Sequence, residues 1–494
     1  MTASPPAAQA PMPSFQTDAF IGGRFVPAIS GARFTAVNPA TGKALAEVAA
    51  CDGQDVDAAV TAARAAFEDR RWAGLKPSER KKVLVRFADL VRAHGDELAL
   101  TETLNMGKPI SDAKAIDVRA TADCIAYYGE AADKVYGEVA PTSDENLALV
   151  LREPLGVVGC VTPWNFPMIM AAWKIAPALA MGNSVILKPA EESPLTALRL
   201  AALAQEAGIP DGVFNVVPGL GEQAGAALGR HMDVDALAFT GSTEVGRYFM
   251  RYSAESNLKR VALELGGKTG FVVAADVPDL DAVAEAVAAG IFFNQGEMCT
   301  AGSRLLVDNR IREALLERVE AAAALWMPGD PLDPQATAGA VVSHHHLGRI
   351  LAAVERGRSE GARCVTGGHA VREETGGAFM APTIFDRVDP ASSLAQQEIF
   401  GPVLSVIGFD GLDEAVEIAN GTPYGLGAAI WSADLAAAHK VARRFKAGIV
   451  YVNCFDADDI TVPFGGVKQS GFGRDKSLHA LDKYSDLKTI WTRL

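Results

Sequence analysis

SVILKPAEESPLTALRLAALAQEAGIPDGVFNVV, running from Ser184 to Val217, is the stretch that decides the fold. Ser184–Lys188 is a short apolar run and reads as a strand. Ser193-Pro194 can open a helix. Leu195–Ala207 repeats Leu and Ala at the three-and-four spacing of a helix, and Phe214–Val217 reads as a second strand. Strand, helix and strand in this order make a βαβ unit and predict a parallel sheet. The alternation spreads over Gly156 to Phe271, with a helix at Glu222–Leu228, a strand at Ala236–Thr240 and a helix at Glu244–Ser253. Residues 276–450 repeat the style, with helices expected at Leu280–Ala289, Arg310–Ala324 and Leu412–Ala419. Upstream, Val56–Phe67, Arg80–His94 and Ile116–Lys134 are helical by periodicity. Leu147–Arg152 and Leu155–Cys160 read as two short strands separated by Glu153-Pro154, a hairpin or bent ribbon. With the strand-like Leu487–Arg493 they predict a small sheet whose edges are suited to joining subunits. No internal repeat is detected.

Composition bounds the function. The 494 residues are 49% hydrophobic and 21% charged, ordinary for an enzyme with a large core. A net charge of −14 argues against nucleic acid as a main partner. Six scattered cysteines without C-x-x-C spacing argue against a zinc site or a disulfide framework and fit a reducing compartment. Residues 1–18, rich in Ala, Pro and Ser, read as a disordered tail and not a secretory signal. No apolar run is long enough to predict a membrane span, so the expected location is the cytoplasm.

Two glycine-rich segments carry the chemistry. VALELGGKTG (Val261 to Gly270) holds Glu264, and FNQGEMCTAGSR (Phe293 to Arg304) holds Cys299. A thiolate is a strong nucleophile, and a nearby carboxylate can take a proton from water or thiol. Apolar Leu263 and Leu265 predict partial burial of Glu264, which raises its pKa toward general-base range. In TPWNFP (Thr162 to Pro167) two prolines frame a rigid loop whose Asn165 amide can donate to a developing oxyanion. Lys188 and Glu191 follow a parallel strand, where open α/β sheets bind ligands. A glutamate there can accept from two ribose hydroxyls and would repel a 2′-phosphate, which favours NAD over NADP. AFTGSTEVG (Ala238 to Gly246) offers a helix N-terminus to a pyrophosphate, although no G-x-G-x-x-G is present. The run His344-His345-His346 reads as a solvated loop or helix start, and no metal site is expected.

Taken together, these segments resemble the aldehyde dehydrogenase superfamily from about Phe20 to Leu494. The resemblance implies a variant Rossmann NAD-binding domain (19–136 and 159–263), an α/β catalytic domain (264–474) and oligomerisation strands (137–158 and 475–494). It implies Cys299 as nucleophile, Glu264 as general base, Asn165 as oxyanion donor and Lys174 in the catalytic set. On the cofactor it places Thr162, Pro163, Trp164, Lys188, Glu191, Gly221, Gly225, Phe239, Gly241, Ser242 and Leu265. EIFGPV adds Glu398 on the nicotinamide ribose and Phe400 beside the nicotinamide. Thr269-Gly270 departs from the family's usual Ser-Pro, for which only a local backbone effect is expected. The family reaction runs through a cysteine thiohemiacetal, hydride transfer to NAD and hydrolysis of a thioester. GRDKSLHALDKYSDLKTIW (Gly473 to Trp491) resembles the ω-aminoaldehyde branch, which oxidises γ-glutamyl-γ-aminobutyraldehyde and 4-guanidinobutyraldehyde in polyamine and arginine breakdown. Asp456, Asp458 and Asp459 precede Pro463, and Asp458 at a tunnel mouth would attract an ammonium or guanidinium tail. Phe166, Trp173 and Phe464 are expected to line the tunnel. The alternatives are a general aliphatic or betaine aldehyde dehydrogenase, a coenzyme-A-acylating relative, an inactive scaffold protein and a cysteine hydrolase. A homodimer or homotetramer is expected.

Overall fold

The computed structural model describes residues 14–494. Of the tail expected at 1–18, residues 1–13 lie outside the described residues. The rest is not tail-like: Phe15 packs against the core, the Thr17 carbonyl accepts from Ala49 N at 2.8 Å, and Asp18 pairs with Arg33 at 2.5 Å.

Five parallel strands run side by side in an eight-stranded sheet, in the order Phe214–Val216, Ser184–Lys188, Val157–Val161, Ala236–Thr240 and Arg260–Glu264. Short antiparallel strands flank them: Ala19–Ile21 and Arg24–Val26 at one edge, Gly471–Phe472 at the other. Every residue of Val157–Val161 and Ser184–Lys188 is buried, as expected of parallel strands covered on both faces. The chain leaves Val157–Val161 toward one side of the sheet and later returns to the other. That strand is therefore the switch point, where the carboxyl ends open a crevice. The helix Leu195–Ala207 has the limits its periodicity predicts and ends on Gly208 at φ +102.

A second sheet runs in the order Arg363–Thr366, Thr383–Asp386, Val403–Phe409, Arg304–Asp308, Gly270–Val273, Gly427–Trp431 and Ile449–Val452, parallel except for the first strand. The predicted helices appear with small shifts, for example Leu280–Phe292 and Arg312–Ala323. Gly221–Gly225 opens as a π-turn before the α-helix Ala226–Arg230.

The hairpin reading fails. Asn146–Pro154 continues through Glu153-Pro154 as one strand, antiparallel to Glu138–Ala140 and Ser485–Arg493. Gly156, at φ +132, then redirects the chain and Val157–Val161 enters the large sheet. The continuous apolar run is the signature of a buried parallel strand, not of a half-exposed hairpin arm. The expected divisions move for the same reason. Val157 and Val158 belong to the first sheet. Ala480, Leu481 and Tyr484 pack into its core, so only Ser485 onward leaves it. Glu264 is the last residue of a first-sheet strand, and residues 265–269 span the gap to Gly270. Among the described residues no helix is long and apolar enough to cross a membrane.

Candidate active site

A cavity of about 590 Å³ is lined by loops from both sheets. Asn165, Gly241, Ser242, Glu264 and Leu265 reach it from the carboxyl ends of the first sheet, and Cys299 and Glu398 from segments leading into second-sheet strands.

Glu264 ends its strand opposite Thr240, which fixes its direction into the cavity. It is 5% exposed, and neither carboxylate oxygen has a hydrogen-bond partner. Burial, with the Asp475 carboxylate adding repulsion, raises its pKa well above the usual range. A buried carboxyl without partners is costly to maintain and free to exchange a proton.

Of the two glycines after it, the second is required by packing against backbone, and the first leaves room for the Glu398 carboxylate. Gly267 N donates to Glu398 Oε1 at 2.9 Å. A Cβ on Gly266 would stand 2.0 Å from Glu398 Oε2, and one on Gly267 would stand 2.3 Å from the Cys299 carbonyl. LGGK thus lets the thiol loop and Glu398 close onto one backbone. Glu398 is half-buried, with its pKa pushed up to about 7 by desolvation.

Cys299 follows Asn294 and Gln295, two consecutive residues at positive φ (+48 and +59). Such strain gathers at functional loops. The thiol is half-buried and open to the cavity. Burial, then the carboxylates of Glu398, Glu264 and Asp456, push its pKa upward, so the group is a thiol until a base takes its proton. Asn165 Nδ2 donates to the Glu297 carbonyl at 2.9 Å, two residues before the thiol.

Pro163, Trp164, Gly241, Ser242, Leu265, Glu398 and Phe400 line the cavity, as do Phe166, Trp173, Asp458 and Phe464. Ser242 caps the helix Thr243–Ala254, accepting from Val245 N at 3.3 Å, and beside it Thr240 Oγ1 is buried with no partner. Thr162, Lys188, Glu191, Gly221 and Gly225 do not line the cavity but sit at carboxyl ends of the same sheet. Lys188 Nζ bonds Glu191 Oε2 at 2.8 Å. Burial works against the Glu191 charge, but Lys188 and the Gly221 N–H hold its pKa below the usual range.

Three expectations need correction. Phe239 packs in the core with its ring 4.8 Å from that of Phe249, because alternation along the strand turns it away from the cavity. Lys174 is buried outside the cavity, with its ammonium bonded to Asp475, whose second oxygen takes Lys483. Burial opposes the Asp475 charge, yet the two lysines hold its pKa low. Lys174 therefore reaches Glu264 only through the field of this buried triad. Asp458 does reach the mouth, but Lys476 is bonded to it. The carboxylate left without such a partner there is Asp456, pushed up to about 6 by the surrounding protein. Asp459 only caps Thr461.

Sequence reading also missed His346. The histidine run opens the helix His344–Ser359 as expected, but His346 turns inward and its Nε2 bonds the Phe400 carbonyl at 2.7 Å. Burial lowers its pKa to about 4, so it is neutral and donates from Nε2. Its ring and that of Phe400 both meet Trp164 edge-on, at 5.1 and 5.3 Å. No local signal separates it from His344 and His345.

Comparison with known proteins places this architecture. Residues 25–490 match the aldehyde dehydrogenase family. An aminoacetaldehyde dehydrogenase of Pseudomonas aeruginosa is 52% identical over 474 residues, 96% of this chain and 95% of that protein. The crystal structure of a gamma-glutamyl-gamma-aminobutyraldehyde dehydrogenase from Burkholderia cenocepacia superposes with a TM-score of 0.96 at 56% identity, covering 97% of each chain. An indole-3-acetaldehyde dehydrogenase complexed with NAD+ gives the same TM-score at 53% identity, again over 97% of each chain. With a cavity that brings Cys299, Glu264 and Asn165 together, and a family match across nearly its whole length, this chain belongs to the aldehyde dehydrogenase family.

Proposed function

We propose that the protein oxidises an ω-amino-, γ-glutamylamino- or guanidino-substituted aldehyde to its carboxylic acid, with Cys299 as nucleophile, Glu264 as base and NAD as cosubstrate. The observation that carries this reading is Glu264: a buried carboxyl with both oxygens unpartnered, in the cavity that the thiol faces.

The residues fit the cofactor. Glu191, held ionised by Lys188, suits two ribose hydroxyls and repels a 2′-phosphate, which favours NAD over NADP. The unpartnered Thr240 hydroxyl and the helix start at Ser242 suit a pyrophosphate. Glu398 suits the second ribose. When bound, NAD supplies the hydride acceptor. Glu264 takes the thiol proton. The Cys299 sulfur bonds the aldehyde carbon, and the Asn165 amide and the Cys299 N–H steady the oxyanion. After oxidation the acyl group is held as a thioester. Glu264 gives the first proton up to solvent and then removes a proton from water; the oxygen attacks the acyl carbon, the C–S bond breaks, and the departing sulfur takes that proton back from Glu264, returning the thiol and releasing the acid.

Asp456 supports the charged tail. It lines the cavity, whereas Asp458 is already paired with Lys476. A charge-assisted hydrogen bond contributes about 1.5–3 kcal/mol. Asp456→Asn is therefore expected to lower kcat/KM for 4-aminobutanal by about tenfold or more while hexanal is little changed, read as NADH absorbance at 340 nm. Equal losses on both aldehydes would remove the assignment. The apolar walls favour a second reading, a general aliphatic or aromatic aldehyde dehydrogenase: Trp173 and Phe464 lie 5.0 Å apart, and Phe166 stacks on Phe293. The same aldehyde panel separates the two, since this reading requires hexanal to match 4-aminobutanal in the unaltered enzyme.

The three-stranded sheet supports a homodimer or homotetramer. Among the described residues its outer strand Ser485–Arg493 is paired on one side only, and it exposes Leu487, Ile490 and Trp491. Sedimentation at micromolar concentration is expected to show no monomer; a stable monomer would end this part of the proposal.

A further inference from the structure

Glu297 is fully buried, two residues before the thiol, and the chemistry above does not use it. Its Oε1 accepts from Val342 N at 3.0 Å, while its Oε2 has no partner. Its main-chain carbonyl accepts from two side-chain amides, Asn165 Nδ2 at 2.9 Å and Asn294 Nδ2 at 3.2 Å. Asn294 also reaches the Asn165 carbonyl at 3.2 Å. The neighbouring Gln295 accepts from Gly339 N at 2.8 Å, so the thiol loop is tied at two points to the buried segment Ala338–Val342. That segment in turn bonds Gly107 through Ala340 N at 2.9 Å.

We propose that Glu297 is the positioning residue for the oxyanion donor: its carboxyl pins the Cys299 loop to Ala338–Val342, and its main-chain carbonyl thereby aims the Asn165 amide. This rests on the role given to Asn165 above. One Nδ2 hydrogen of Asn165 is spent on Glu297, which leaves the other with a single direction. The groups facing the carboxyl are Gln295 from its own loop, His346 with Nε2 at 4.0 Å from Oε1, and the more distant Lys108. His346 is neutral and already donates to Phe400, so no cation bonds the carboxyl. Burial raises the Glu297 pKa well above the usual range, so it works as an uncharged acid. An uncharged amide of the same shape can do the same work.

The test is a double-mutant cycle with a conservative rescue. Glu297→Gln is expected to keep kcat within about threefold of the unaltered enzyme. Glu297→Ala is expected to lower kcat at least tenfold with KM little changed. Combined with Asn165→Ala, it should cost no more than Asn165→Ala alone, because both changes remove one function. Additive losses would mean that Glu297 acts elsewhere, and Glu297→Gln as impaired as Glu297→Ala would mean that an ionisable group is needed; either overturns the proposal. Unimpaired Asn165→Ala would instead defeat the oxyanion reading itself, and impaired Asn165→Ala beside unimpaired Glu297→Ala would defeat the Glu297 assignment alone.

Discussion

Cys299→Ala is expected to lower NADH formation by more than about a thousandfold while leaving NAD binding intact. Removal of a covalent nucleophile deletes the whole route, since a residual site can still bind and polarise but cannot form the acyl intermediate. The Cys299 side chain faces the cavity, and no other described cysteine lines it. Cys51, Cys124 and Cys160 are buried in cores, and Cys364 and Cys454 lie elsewhere. The alanine leaves the Cys299 main chain in place against Gly267, so the loop keeps its packing. Binding of NAD by fluorescence titration is the control. Appreciable NADH production by the variant that still binds NAD would show that another group carries the chemistry.

Glu264→Gln is expected to separate the two halves of the reaction. A positioned general base contributes about 10²–10⁴ in rate, so steady turnover should fall within that range. With the pH raised enough to ionise part of the thiol, acylation proceeds and one equivalent of NADH appears as a burst. A thioester on Cys299, visible by intact-mass measurement, should accumulate behind it. The pH dependence follows from the sign of the shift. In the proposed role Glu264 works as a carboxylate, and burial with Asp475 nearby raises its pKa above the ordinary value. Deacylation in the unaltered enzyme should therefore climb as pH rises through that raised value, and the glutamine variant should lose this limb. A glutamine variant with neither burst nor thioester at any pH would show that Glu264 is indispensable before the thioester forms, and would overturn the assignment of its main effect to deacylation.

Much of the site was legible because its members are local. Glu264, the glycines that admit Glu398 and the Cys299 backbone, and the rigid Asn165 loop each sit in one short turn between regular elements. Their residue types are dictated by close approach, and that shows in the linear order. Lys188 and Glu191 were legible for a related reason: a strand end and a helix start put them at the mouth of the sheet. What the linear order does not show is the partner each charged group meets in the fold. Asp458 looked like an open carboxylate until Lys476 came to it. Lys174 is bonded to Asp475, whose other oxygen takes Lys483. His346 differs from its two neighbours only in the direction it takes from a helix start, which places it under Phe400.

By itself, then, the sequence determined the βαβ alternation, the parallel sheet and the segments that hold the thiol, the buried carboxyl and the amide. Periodicity and turn chemistry act over a few residues and are written in order along the chain. Only the tertiary structure decided which strand pairs with which, and so that Val157–Val161 is a central strand and Asn146–Pro154 joins Ser485–Arg493. It alone decided which charges remain free in the cavity. Burial and ion pairing between residues up to hundreds of positions apart are set by packing, and no local pattern records them.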